Sequence, residues 1–215
     1  MIGSFGIRRI GRIGMFIKEV KQYRRHDFTG EMLQDLELNG YEFYECNFRG
    51  VNLSQLVTRG CIFDHCDFSF ARMSGSKHKN SAFVNCKFYS AVLFCATFTD
   101  CKATGSIFTD ADLTGLSLVR GNFSFSNFYE SDFSRMDLSG INFSNADLRK
   151  CNMELAVIRD ADLSHAMLSG SSLKKADLRG TRLDGVYMND VRMSHTKIDL
   201  EQAVVIAEGM GGIVS

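Results

Sequence analysis

Read from Phe28 in steps of five, the chain gives Phe28, Leu33, Leu38, Phe43, Phe48 and Leu53, and holds that frame to Met188, Met193 and Ile198. Thirty-two of these 35 positions are Leu, Phe, Met or Ile, although those types make up only 58 of 215 residues and composition alone would place about nine there. A period of five fits neither an amphipathic helix, at about 3.6 residues per turn, nor a half-buried strand, at about two. It fits a solenoid in which every fifth side chain turns inward. Two residues before each of these positions stands a small residue (Ala, Ser, Cys, Thr, Val or Gly) at 27 of 35 places. Asp or Asn often lies between, as in Cys46-Asn47-Phe48 and Ala161-Asp162-Leu163. Proline is absent, and 45% of residues are hydrophobic, which excludes a disordered chain. No run of 18 apolar residues exists, so nothing reads as a membrane-spanning helix.

A small residue, Asp or Asn, then Leu or Phe, repeated every five residues, resembles the pentapeptide repeat family, and the resemblance covers residues 26–198. It implies an all-β fold, a right-handed quadrilateral β-helix with four pentapeptides per coil and about eight to nine coils here. Residues 20 apart would then stack at strand spacing, about 4.8 Å, in a rod roughly 40 Å long. One column becomes Phe28, Phe48, Phe68, Phe88, Phe108, Phe128, Leu148, Leu168 and Met188; another runs from Phe43 through Phe63, Phe83 and Ala103 to Leu183. Thr58 and His78 break the frame on adjacent coils among polar neighbours, and read as a local outward bulge, either a functional loop or a poorly packed coil edge.

The two ends differ from this body. Residues 1–25 form a basic arm of net +6, against −6 for the rest. Ile10, Ile13, Ile17 and Val20 could line one face of an N-terminal helix that caps the first coil, or that meets an anionic membrane or nucleic acid. Met15 is a second candidate start, and no secretory signal is visible, which points to a cytoplasmic protein. Residues 199–215 begin with Asp199-Leu200-Glu201-Gln202, a helix start with Asp199 as N-cap. Leu200, Ala203, Val204, Ala207 and Met210 share one helix face, Gly209, Gly211 and Gly212 stop the helix, and Ile213-Val214 could add a strand. That helix reads as a cap over the open end or as a two-fold dimer interface.

Catalytic and metal chemistry find no support. Six of the seven cysteines (Cys46, Cys61, Cys66, Cys86, Cys101 and Cys151) occupy the small-residue slot, so size explains them, and reduced structural thiols are expected. Cys61-X3-His65-Cys66 does not read as a zinc site, because His65 faces out while both thiols face in. The glycines look dispersed, and the Asp residues before each central Leu or Phe serve turn backbone donors rather than acid–base catalysis. With the interior filled, no pocket is expected; the chain reads as no enzyme, with no cofactor and no metal.

Three segments resemble the Qnr and MfpA type within the family: Phe28-Thr29-Gly30-Glu31, Cys101-Lys102-Ala103-Thr104-Gly105, and the tail from Gln202-Ala203 to Gly212-Ile213-Val214. That resemblance implies dimerisation through the C-terminus, with Leu200, Ala203, Val204, Ala207, Met210 and Ile213 in the interface. It also implies a rod that imitates duplex DNA, engages DNA gyrase or topoisomerase IV, and acts in resistance to quinolones or peptide poisons without contacting nucleic acid itself. The candidate partner face is the acidic stretch 100–147, net −4, with Asp100, Asp110, Asp112, Glu130, Asp132, Asp137 and Asp147. Qnr-type proteins carry two projecting loops that interrupt the frame; here the frame is continuous, which leans toward loop-free relatives. The competing reading is a structural or adaptor rod for another protein.

Overall fold

A computed structural model describes residues 20–214. Nine short strands run in order: β1 (Gln22–Arg24), β2 (Glu37–Asn39), β3 (Glu42–Tyr44), β4 (Val57–Arg59), β5 (Ile62–Asp64), β6 (Lys77–Lys79), β7 (Ala82–Val84), β8 (Thr97–Lys102) and β9 (Ser117–Asn122). All pair in parallel with a register offset of 20, from Gln22↔Glu42 between β1 and β3 to Thr97↔Ser117 between β8 and β9. Four pentapeptides therefore close one coil, and the coil has four faces. We number these first to fourth after the columns that start at Phe28, Leu33, Leu38 and Phe43. The strands occupy the third and fourth faces, while the first and second contribute single bridges such as Asp27↔Asn47 and Met32↔Asn52. Strands span about five turns, fewer than the eight to nine coils expected. Beyond them the same offset continues as isolated bridges to Asp177↔Lys197, because one residue per face suffices once the corners set the direction.

Those corners have a single backbone device. Every fifth residue from Arg25 to His195, Asp190 excepted, sits in the left-handed region at φ between 44° and 81°. Eleven of them are glycine, which adopts that region without steric cost. Most glycines that looked dispersed are thus gathered in one frame, two residues after a central apolar residue. The Asp or Asn three residues before many of these corners accepts a turn amide, as the sequence predicts: Ser69 N donates to Asp67 Oδ1 at 2.8 Å and Ser134 N to Asp132 Oδ1 at 2.8 Å.

The central residues fill the core. Phe28, Phe48, Phe68, Phe88, Phe108 and Phe128 stack with centroids 4.5 to 5.0 Å apart and planes within 6° of parallel. Phe43, Phe63 and Phe83 form the neighbouring column at 4.8 and 4.7 Å and meet the first edge-on. Aromatic spacing thus coincides with coil spacing, and each ring is covered above and below.

The ends are closed differently. Helix α1 (Leu200–Gly209) opens on the expected capping box, with Asp199 accepting from Gln202 N and Gln202 Oε1 accepting from Asp199 N. Gln202 is buried, and its amide donates to the carbonyls of Leu178 and, at 2.9 Å, Thr181, so this side chain seals the last coil. Ile213 and Val214 form no strand, and Ile213 is fully in solvent. At the other end the solenoid begins at β1, before residue 26. Arg24 stacks over Tyr44 at 4.2 Å and Arg25 pairs with Glu45 at 2.7 Å, so the last part of the basic arm belongs to the first coil. The helix expected over Ile10, Ile13 and Ile17 lies outside the described residues, and Val20 is in no helix.

Replacing Phe68 by alanine removes a ring stacked on both sides and is expected to cost about 3–5 kcal/mol in denaturant unfolding. A loss below about 1 kcal/mol would show that the aromatic column is not what couples the coils.

Candidate functional site

Thr58 and His78 do not bulge outward. They are 0% and 1% exposed, and they share a buried polar cluster on the third face. Thr58 Oγ1 lies 2.8 Å from His78 Nδ1 and 3.0 Å from Ser81 Oγ, while His78 Nε2 lies 3.0 Å from Ser76 Oγ. The polar neighbours that suggested a loop are the partners that make burial tolerable. Burial drives the His78 pKa down to about 3, so the ring is a neutral internal strut rather than a base.

The small-residue slot also carries a hydrogen-bonding role beyond size. Cys66, Cys86 and Cys151 direct their thiols to the carbonyls of Phe43, Phe63 and Phe128, each 23 residues earlier, at 3.4, 3.3 and 3.0 Å. Ser106 and Ser171 do the same to Phe83 and Leu148 at 2.6 and 2.8 Å. Burial pushes the Cys101 thiol up to about 11 and Cys151 to about 12, which suppresses thiolate chemistry. All seven cysteines are free and Cys95 alone is exposed. His65 points outward and hydrogen-bonds Asp64, and no group of His, Cys, Asp and Glu among the described residues is placed to hold a metal.

The seven acidic residues divide. Asp147 is buried and held by a bidentate pair with Arg149 at 2.8 and 2.7 Å, so it offers no free charge. Asp100 is paired with Arg120 at 2.7 Å, and Asp137 stands on a different face, hydrogen-bonded to Ser139. The remaining four converge. Asp110 and Glu130 occupy one corner on successive coils, and Asp112 and Asp132 follow them onto the second face. Glu130 pairs with Lys150 at 2.9 Å, whereas Asp110, Asp112 and Asp132 have no ion pair among the described residues. The Arg149 and Arg120 guanidiniums and the Lys150 ammonium hold their partner carboxylates below the usual range.

Here the coil ladder itself is interrupted. The pairs Asp112↔Asp132 and Ser117↔Asp137, expected from the offset of 20, are not formed, while Ile107↔Asn127 and Asn122↔Asn142 on either side are. Two faces remain joined and two have parted, leaving a cleft of about 410 Å3 walled by the four carboxylates and floored by Leu113 and Met136. The expectation of no pocket is corrected at this seam.

A family model described as pentapeptide repeats matches residues 42–77, 106–145, 137–174 and 161–199, in eight copies. The chain belongs to the pentapeptide repeat family. The pentapeptide repeat protein MfpA of Mycobacterium tuberculosis is 34% identical over 105 residues, which are 49% of this chain and 46% of MfpA. The match therefore spans under half the length of that relative. Full-length QnrB1, a plasmid-mediated fluoroquinolone resistance protein, superposes with a TM-score of 0.71 at 19% identity, over 89% of this chain and 98% of QnrB1. HetL, a pentapeptide repeat protein involved in heterocyst differentiation regulation in the cyanobacterium Nostoc, gives 0.51 at 18% identity, over 81% and 90%. At these identities the structural likeness is one of fold.

Within the pentapeptide repeat, the seam has a readable cause. Leu116 and Met136 sit one above the other in the slot that normally holds a small residue, beside the full-sized Leu118 and Leu138. Leu36 and Leu56 stack in the same way lower in the rod, but there the central residue of the upper coil is the small Thr58, and Val57 N still reaches Leu36 O at 2.8 Å. Oversized pairs in both slots exceed what one coil spacing can hold. Like-charged carboxylates one coil apart add repulsion.

The buried imidazole predicts a pH dependence. His78 takes up a proton near pH 6.5 when unfolded but only near 3 when folded, so stability declines as pH falls from about 6.5 toward 3. Between pH 7 and 5 this contributes a loss of about 2 kcal/mol. Thermal unfolding across that range should show a flatter slope for His78→Phe, and an unchanged slope would place the pH sensitivity elsewhere.

Proposed function

We propose that this protein is a non-catalytic binding protein that mimics DNA toward a type II topoisomerase, DNA gyrase or topoisomerase IV, and modulates it or shields it from quinolone-like or peptide poisons. The observation that carries the reading is the convergence of Asp110, Asp112, Glu130 and Asp132 on one edge of a regular rod, three of them without an ion pair. Carboxylates repeated on successive coils offer a basic DNA-binding saddle a negative edge. The sequence similarity to MfpA and the shared fold with QnrB1, a fluoroquinolone resistance protein, support it. Mimicry is confined to this edge, since the chain as a whole is neutral and DNA carries about one charge per 1.7 Å. A neutral total also suits the second reading, an adaptor rod for a different protein.

Supercoiling by purified gyrase should be inhibited, or protected from a fluoroquinolone, at low micromolar protein, and the effect should weaken as salt rises. Charge reversal of Asp110, Asp112, Glu130 and Asp132 to lysine is expected to reduce it by at least about tenfold, because steering and contact both depend on those charges. Unaltered potency in that variant rejects the acidic-edge mechanism; no response from gyrase or topoisomerase IV favours the adaptor rod.

The C-terminal helix fits a homodimer in this proposal. Leu200 and Met210 are 80% and 66% exposed, while Val205 and Ile206 pack on the core. Sedimentation of the whole chain should give a dimer that Leu200→Glu with Met210→Glu converts to monomer; a wild-type monomer at tens of micromolar would remove dimerisation from the proposal.

A further inference from the structure

The seam between residues 110–120 and 129–139 leaves backbone groups facing a gap. One coil earlier, Leu93 N donates to Asp112 O and Asp112 N to Ala91 O, both at 2.9 Å. The equivalent bonds, Leu113 N to Asp132 O and Asp132 N to Ala111 O, are not made, nor are those that would join Leu116 and Leu118 to Asp137. Both lips are therefore open edges of parallel strand, each keyed to accept another strand. Ser131 gives an independent sign. It is 8% exposed and lines the cleft, yet its hydroxyl makes no hydrogen bond among the described residues, whereas Ser106 and Ser171 in the same slot reach the carbonyl 23 residues earlier. The unpaired carboxylates of Asp110, Asp112 and Asp132 stand at the rim, and Leu113 and Met136 lie beneath.

We propose that this cleft is a docking groove for an extended basic segment of a partner protein, held by strand pairing to the open lips. A main chain satisfies alternating amides and carbonyls, which an inorganic cation cannot do, and a polyanion is repelled by the rim. Strand addition gives affinity through the backbone and selects sequence through alternate side chains. Here one set of side chains, arginine or lysine, meets the carboxylates, and the other, β-branched and apolar, meets Leu113 and Met136. The cleft volume, about 410 Å3, lies within the roughly 300–1,000 Å3 that small binding sites occupy. The proposal does not rest on the topoisomerase reading, because any protein bearing such a segment would serve.

The test uses a fluorescein-labelled peptide of four Arg-Val repeats and fluorescence anisotropy on the full-length chain. Saturable binding is expected, weakened by at least about tenfold when proline replaces alternate valines at constant charge, since proline cannot donate to a strand. Leu116→Ala should let the seam close without touching a carboxylate or the Leu113 and Met136 floor. It should slow hydrogen exchange at the Asp132 and Asp137 amides and lower peptide affinity by at least about tenfold. Should that variant lose its fold, Asp112→Asn with Asp132→Asn, on the surface, is expected to weaken binding in the same sense. Equal affinity for the proline peptide, wild-type affinity in the closed or neutralised variant, or no binding at all overturns the proposal. So does binding seen only after Arg8, Arg9 and Arg12 are changed to alanine, which would give the groove to the chain's own N-terminal segment. Gyrase inhibition by a wild-type chain that binds no peptide would leave the topoisomerase reading intact while the groove fails.

Discussion

Parallel pairing between coils fixes the distance from one coil to the next at about 4.8 Å, and nearly every residue choice in this protein answers to that number. Flat rings fit it, so phenylalanine stacks through six coils on the first face with centroids 4.5 to 5.0 Å apart. Beside most rings stands a small side chain. Where that side chain carries a donor, it ties itself to a carbonyl of the preceding coil, as Cys86 and Ser106 do. The corner must turn within two residues, which places every fifth residue at positive φ and draws glycine there.

The seam at residues 110–139 follows from violating the same constraint. Leu116 and Met136 demand more height than the ladder allows, and the bonds that yield are those of the two faces they adjoin. The acidic residues that distinguish this edge lie on the lips of that opening. Electrostatic and steric strain therefore coincide, and the site with free charge is also the site with free backbone.

Much of this was legible in the residues. The five-residue frame, the stacked columns, the capping box at Asp199 and the inward thiols all follow from local rules that act on one pentapeptide at a time. What escaped depends on relations between coils. Thr58 and His78 looked misplaced singly, yet Thr58 meets His78 and Ser81 only when adjacent coils are superimposed, while Ser76 holds the ring from its own coil. Glycine looked scattered because its frame lies two residues from the apolar one. Counting small residues in the slot hid the single place where two large ones follow each other with no small neighbour in compensation. Asp147 counted as surface charge, although Arg149 two residues later folds back over it.

A rod joined along two faces and parted along the other two is a flexure. Its intact bridges at Ile107↔Asn127 and Asn122↔Asn142 act as the uncut side of a notched beam. Such a beam resists shear and twist but yields to bending in one plane, toward or away from the notch. Whatever wedges or closes the notch would thereby act on the angle between the coils before it and those after it.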